Sequence, residues 1–243
     1  PWFDRPVVVV SPPRSGSTLL FETLARAPGL YTVGGESHAL MEGVPSLHPS
    51  HNGWHSNRAS ADLASSDVVQ ALRERFAAAL RDRDEQAPTA APVRLLEKTP
   101  KNALRIPFLQ RVFPEARFVY LYRDPREVLA SMIEAWQSGR FRTYPRLPGW
   151  NGPPWSLLLV PGWRELSGKP LHEIVAAQWE ATTRVLLDDL HGVPAERVSV
   201  VRYDALQQDP QAAMQTLCAQ LDLEWDQQLD PTLPASRYTV SAP

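Results

Sequence analysis

The sequence predicts an α/β fold, a central parallel sheet covered by helices on both faces. Three observations carry that expectation. Residues 7–10 are four consecutive valines, the pattern of a strand buried on both faces. Phe118-Val119-Tyr120-Leu121 is the centre of a second core run at 117–122. Elsewhere short apolar runs alternate with stretches of helical periodicity, the order of a sheet wound by crossover helices.

After the first strand, Pro12 and Pro13 force a turn, and from Thr18 the residues Leu19, Leu20, Leu24 and Ala27 recur at helical spacing until Pro28-Gly29 stops them. Residues 30–33 are expected as a short strand ending at Gly34-Gly35, with Glu36 at its C-terminal end. Residues 46–66 are polar, hold His48, His51 and His55, and read as a loop or lid. Helical periodicity returns at 68–83 through Val69, Leu72, Phe76 and Leu80, and a polar Ala/Pro linker runs to Pro92. A strand at 93–96 leads into Glu97-Lys98-Thr99-Pro100, and 106–112 reads as helix. Asp124-Pro125 opens another helix, with Asp as N-cap and Pro at the first helical position, extending to about Gln137.

Residues 144–170 are rich in Pro, Gly and Trp and read as an irregular wall. Its tryptophans Trp150, Trp155 and Trp163 either line a site or cover a core edge, and both readings stay open. A long amphipathic helix at 171–190, a strand at 198–201 and a helix at 210–221 complete the order. At 243 residues with 43% hydrophobic content, the chain can build one sizeable core, so a single domain over 1–243 is expected, with 42–66 and 138–170 as acceptor-site loops.

With 25 Lys and Arg against 27 Asp and Glu, the net charge of -2 favours neither nucleic acid nor an anionic membrane as partner, so an anion site must be built locally. A lone cysteine, Cys218, cannot form an internal disulfide, and no apolar stretch reaches the roughly 20 residues of a membrane span. A cytoplasmic protein is expected. The start without Met and the end at Ser241-Ala242-Pro243 suggest an excised or C-terminally trimmed domain.

Ser15, Gly16, Ser17 and Thr18 sit between a buried strand and a helix start, where orphan N–H groups and the helix dipole favour an anion. Arg14 adds a permanently charged fork. The same residues also suit an ordinary strand-to-helix turn with Ser as N-cap. An ATP- or GTP-binding loop would read Gly-x-x-x-x-Gly-Lys-Ser/Thr. Here Ser11 occupies the first Gly position and Ser17 follows Gly16, so the lysine for terminal phosphates is absent.

Pro12-Pro13-Arg14-Ser15-Gly16-Ser17-Thr18-Leu19 resembles the 5'-phosphosulfate loop of the sulfotransferases that use 3'-phosphoadenosine-5'-phosphosulfate (PAPS), especially the branch of tyrosylprotein enzymes and their bacterial relatives. A second stretch, Val119 to Ser131, resembles that family's 3'-phosphate motif. In it Arg123 ends a strand and Ser131 follows eight positions later in a helix, so both could converge on one phosphate. The resemblance covers about residues 6–204. It implies a P-loop-type domain, PAPS as donor, 3'-phosphoadenosine-5'-phosphate (PAP) as product and no required metal.

Sulfuryl transfer needs in-line placement of an acceptor oxygen, cations for the developing charge and a base. Arg14 is the first cation, and the resemblance assigns Lys98 to the leaving-group side. Small-molecule enzymes of the family place a histidine after Lys-Thr, whereas Pro100 stands here, so the base must lie elsewhere. Glu36 fits the placement of a glutamate in the tyrosylprotein-like branch, with His38, expected on the same strand face, as rival. Tyr203 matches a position that relatives set against adenine, and Arg237 lies where a closing loop would start. A zinc reading of the three loop histidines lacks a nearby Cys and is set aside. The expected acceptor is a hydroxyl, small or carrier-borne rather than an acidic peptide, and a homodimer is left open. The competing readings are a P-loop nucleotide or small-molecule kinase and a non-catalytic nucleotide-binding module.

Overall fold

The computed structural model describes residues 2–233, so Arg237 lies outside the described residues. The strands are β1 (Val7–Val10), β2 (Leu30–Tyr31), β3 (Arg94–Lys98), β4 (Arg117–Tyr122), β5 (Arg142–Tyr144), β6 (Trp155–Ser156) and β7 (Val198–Arg202). The α-helices are α1 (Ser17–Leu24), α2 (His38–Glu42), α3 (Ser66–Ala79), α4 (Ile106–Val112), α5 (Pro125–Ser138), α6 (Leu171–His191), α7 (Tyr203–Gln208) and α8 (Pro210–Gln220). Five strands form one parallel sheet in the order β2-β3-β1-β4-β7, and β5 pairs antiparallel with β6.

Alternation of side chains along the central strands builds two cores. Val8 and Val10 of β1, Leu95 of β3 and Phe118 of β4 pack with Leu72 and Phe76 of α3, Phe108 and Leu109 of α4, and Leu186 of α6. Val7, Val9, Leu96, Val119 and Leu121 face the other way, onto Leu20, Phe21 and Leu24 of α1 and Met214 and Leu217 of α8. The all-valine β1 is therefore apolar throughout because each face meets helices. Because the sheet is parallel, the C-terminal ends of its strands gather at one edge, where ligands of such folds bind.

The helix starting at Pro125 forms as its sequence predicts. Asp124 Oδ1 accepts from the Arg126 N–H at 2.9 Å, and Gly139 ends the helix at φ 67°. Two expectations shift. The strand expected at 30–33 stops at Tyr31, so Glu36 lies in a loop and His38 opens α2, a five-residue helix too short for a periodic signal. The strand expected at 93–96 runs instead from Arg94 to Lys98, which brings Lys98 into the sheet.

The tryptophans resolve toward the core. Trp155 and Trp163 are fully buried, and Trp136, Trp150, Trp155 and Trp163 pack edge to face with centroids 4.9 to 6.0 Å apart. Trp155 Nε1–H donates to the Leu158 carbonyl at 3.1 Å and Trp163 Nε1–H to the Trp54 carbonyl at 2.7 Å, so both polar edges are satisfied inside. The segment 42–66 holds 3-10 turns at Pro45–Leu47, Pro49–Asn52 and Ala61–Leu63. Asn57 fastens it by exchanging hydrogen bonds with the Leu159 backbone at 2.6 and 2.7 Å, and Arg58 Nη2–H donates to Asp189 Oδ1 at 2.7 Å.

Candidate active site

At the C-terminal edge of the sheet lies a cleft of about 1310 Å³. The loop between β1 and α1 forms its floor. Gly16 has φ 94°, and a Cβ there would stand 2.3 Å from Tyr203 Cε2, so only glycine lets the loop pass under that ring. Arg14 also has a left-handed backbone, φ 68°, a conformation costing a non-glycine residue about 1–2 kcal/mol. Helix α1 begins with Gly16 as N-cap, no side-chain cap and no acidic residue in its first turn. Its first N–H groups thus meet the cleft without a carboxylate from the helix's own first turn.

Arg14 Nε–H donates to Ser131 Oγ at 3.3 Å, and its guanidinium lies 4.6 Å over the Phe141 ring. Arg123, at the end of β4, stacks 4.3 Å over the Tyr203 ring, donates to the Arg14 carbonyl at 3.3 Å, and pairs with Glu127 at 2.8 Å. Burial, and then the neighbouring Arg123 charge, lowers the Arg14 pKa. Two like charges brought together beside an uncapped helix start make a fit for an anion. Ser15 is the exception in the loop: its hydroxyl donates to the Pro12 carbonyl at 2.8 Å and braces the turn from inside, away from the cleft.

Lys98, buried at the tip of β3, donates to Thr18 Oγ1 at 3.1 Å and to Glu36 Oε1 at 2.7 Å. Glu36 Oε2 meets His38 Nε2 at 2.9 Å. Burial alone would raise the Glu36 pKa, but the His38 hydrogen bond and the Lys98 charge override it and hold it at about 2. The structure therefore gathers Arg14, Gly16, Ser17, Thr18, Glu36, His38, Lys98, Arg123, Ser131 and Tyr203 around one cleft edge.

Several functional neighbours escaped the sequence reading. Thr99 Oγ1 accepts from the Ser37 N–H at 2.8 Å and so holds the Glu36 loop against β3. Lys101, one turn past Lys98, lines the cleft and pairs with Glu42 at 2.7 Å, which also accepts from Arg105 at 2.8 Å. Lys101 lies just past a motif already singled out, which was a usable signal. Phe141, Leu157 and Leu158 reach the cleft only through the β5–β6 pairing, which leaves no local trace. From 138–170, these residues and Arg140, Arg142 and Thr143 face the cleft, whereas 42–66 contributes no residue to its lining: Val44, Leu47 and Ala59 pack into the core and much of the rest, His51 and His55 included, faces solvent. His48 Nδ1 accepts from the Ser50 N–H at 3.2 Å, and among the described residues no group of His, Cys, Asp and Glu is arranged to hold a metal ion.

The fold and the cleft define an α/β group-transfer enzyme of the P-loop type, with an anion loop on the first strand and a lysine and a carboxylate beside it. Residues 6–227 match the model of the Sulfotransferase family, and the chain belongs to that family. It is 27% identical over 227 residues to a "Putative protein-tyrosine sulfotransferase" of Caenorhabditis briggsae, covering 93% of this chain and 69% of the relative. The corresponding Caenorhabditis elegans protein is 26% identical, with 81% and 62% covered, so the chain spans about two thirds of these relatives' lengths. Among solved structures, the fold is similar to the sulfotransferase domain from the curacin biosynthetic pathway, with TM-score 0.55, 20% identity and 98% and 83% of the two chains covered. It is also similar to the sulfotransferase domain of the Synechococcus PCC 7002 olefin synthase, with TM-score 0.51, 21% identity and 92% and 74% covered. The protein is a sulfotransferase enzyme that carries out sulfuryl transfer.

Proposed function

We propose that the sulfuryl donor is PAPS, that the acceptor is a hydroxyl, and that Glu36 takes the acceptor proton. One observation carries this reading: the Lys98 ammonium touches both the anion loop, at Thr18, and the carboxylate, at Glu36. When bound, the donor supplies a sulfuryl group already activated by its anhydride link to phosphate. The N–H groups at the start of α1, with Ser17, Thr18 and Arg14, suit the 5'-phosphosulfate. Arg123 and Ser131 suit the 3'-phosphate, and Tyr203, held between Arg123 and the Gly16 loop, would meet the base with the part of its ring that lines the cleft.

Lys98 is placed to stabilise charge on the bridging oxygen as the sulfur–oxygen bond to the nucleotide breaks and the acceptor oxygen takes the sulfur. Drawing Lys98 toward the donor also releases Glu36 from one of the two partners, His38 being the other, that make it a weak base, so its basicity rises as the donor seats. His38 holds the second Glu36 oxygen and orients the carboxylate; it remains the rival for the proton. The acceptor side of the cleft combines Phe141, Leu157, Leu158 and Pro100 with both Glu134 and Arg140 and Arg142. Such mixed charge supports a small or carrier-borne alcohol or phenol over an acidic peptide, which would need a basic groove. A kinase reading is not favoured, because no lysine follows Gly16.

Titration calorimetry with PAP on wild type, Arg14→Ala and Arg123→Ala tests the donor. Each substitution is expected to weaken PAP by about 10- to 100-fold, the worth of a charge-assisted hydrogen bond. Magnesium-dependent ATP binding with PAP excluded would overturn the assignment.

A further inference from the structure

The loop that carries Glu36 and His38 hangs on a side chain pointing away from the cleft. Along β3, Leu96 and Lys98 face α1, whereas Leu95 and Glu97 face the opposite core. Glu97 is fully buried, and among the described residues no cation touches it. Its Oε1 accepts from Ser37 Oγ at 2.6 Å and from Asn102 Nδ2 at 3.0 Å. Ser37 is the residue between Glu36 and His38. Its amide donates to Thr99 Oγ1 at 2.8 Å, so two β3-side residues, Glu97 and Thr99, tie down one loop residue.

The remaining oxygens point to a missing proton. Glu97 Oε2 and Asn102 Oδ1 are both buried and both lack a partner among the described residues, although these two side chains are already joined through Oε1 and Nδ2. Two buried acceptors without a donor are costly. A proton on Glu97 Oε2 would make it a donor and, by closing an acid–amide ring, satisfy both. An ionised carboxylate here would be a buried charge with no ion-pair partner, the least favourable alternative. Burial raises the Glu97 pKa and outweighs the hydrogen bonds from Ser37, Thr99 and Asn102 that oppose it; the one charged side chain that also opposes it, Lys98, lies on the other face of the strand.

We propose that Glu97 is held as a neutral carboxylic acid and serves as a positioning residue, fastening Ser37 so that Glu36 and His38 stand together at the cleft. Its importance for catalysis rests on the reading of Glu36 given above. The geometry itself can be tested without donor or acceptor.

Infrared difference spectra of wild type and Glu97→Gln at neutral pH should show the C=O stretch of a protonated carboxyl lost in the variant. The side-chain amide introduced by Glu97→Gln can reproduce the neutral acid's hydrogen bonds, so the NMR ring resonance of His38, assigned with His38→Gln, should stay in place. In Ser37→Ala the same resonance should shift, as the loop loses its anchor to Glu97; Thr99→Val, which removes the other tether, is the second variant should Ser37→Ala fail to fold. A spectrum with no acid band that Glu97→Gln removes would overturn the neutral carboxyl. A His38 resonance unmoved by loss of either tether would overturn the positioning role. PAP binding, unchanged in Glu97→Gln, is the separate control: its absence in wild type would count against the donor assignment and leave this inference standing.

Discussion

The two sides of the cleft are built on different principles. On the proposed donor side, the polar and charged groups sit at strand ends: Arg14 after β1, Lys98 closing β3, Arg123 after β4 and Tyr203 after β7. The parallel sheet fixes their spacing before any side chain packs. The proposed acceptor side is the outer surface of a tryptophan cluster, in which Trp155 and Trp163 are buried while Phe141, Arg142 and Leu157 face the cleft. Its shape depends on packing at long range. A chemical site can thus be read from a strand and its following turn, whereas an acceptor wall becomes visible only once the cluster behind it is assembled.

The largest effect should follow from attacking that cluster. Trp155→Ala removes a fully buried indole packed against Trp136, Trp150 and Trp163, and should destabilise the protein by about 3–5 kcal/mol. Denaturant unfolding checks the size, and PAP calorimetry on the folded protein checks that the strand-end side is unaffected. Near-native stability with a changed acceptor KM would mean that the indole lines the cleft after all, and the division into two sides would fall.

A strand-end residue should behave in the opposite way. Lys98→Ala is expected to lower turnover about 10²- to 10³-fold, the cost of removing one donor aimed at developing charge, while PAP binding weakens less than in Arg123→Ala. Single-turnover kinetics with radiolabelled donor separates the two. A raised donor KM with intact kcat would make Lys98 a binding group only.

The same division explains what could be read from the chain. The Val7–Val10 strand, the 117–122 strand, the Asp124-Pro125 helix start and the loop at 12–18 were legible because each is specified by residues within one turn of itself. The expected placement of Glu36 on a strand was wrong in its element, yet the residue still meets Lys98, because β2 lies beside β3 and delivers the following loop to the same edge. Ser37, Thr99 and Glu97 were opaque for the opposite reason. Their significance is a hydrogen-bond network whose partners lie 60 and 62 residues apart in sequence, with nothing in the local pattern to announce it.

The smallest effect distinguishes the two carboxyls held by neighbouring parts of this network. Glu36 is held at about 2 in the folded protein, below its ordinary 4.5, so its stabilising contribution is present above about 4.5 and is lost as pH falls toward 2. The stability difference between wild type and Glu36→Gln should therefore shrink across that window, modestly, since the Glu36 side chain is 36% exposed and screened. Glu97 runs the other way: its folded pKa is raised, so the unfolded chain gives up that proton first and stability declines as pH climbs above 4.5 toward the raised folded value. In Glu97→Gln that decline should flatten. Denaturant midpoints from pH 3 to 7 would show slopes of opposite sign for the two variants relative to wild type, and slopes of the same sign would mean that Glu97 is ionised and that both carboxyls belong to one charged cluster.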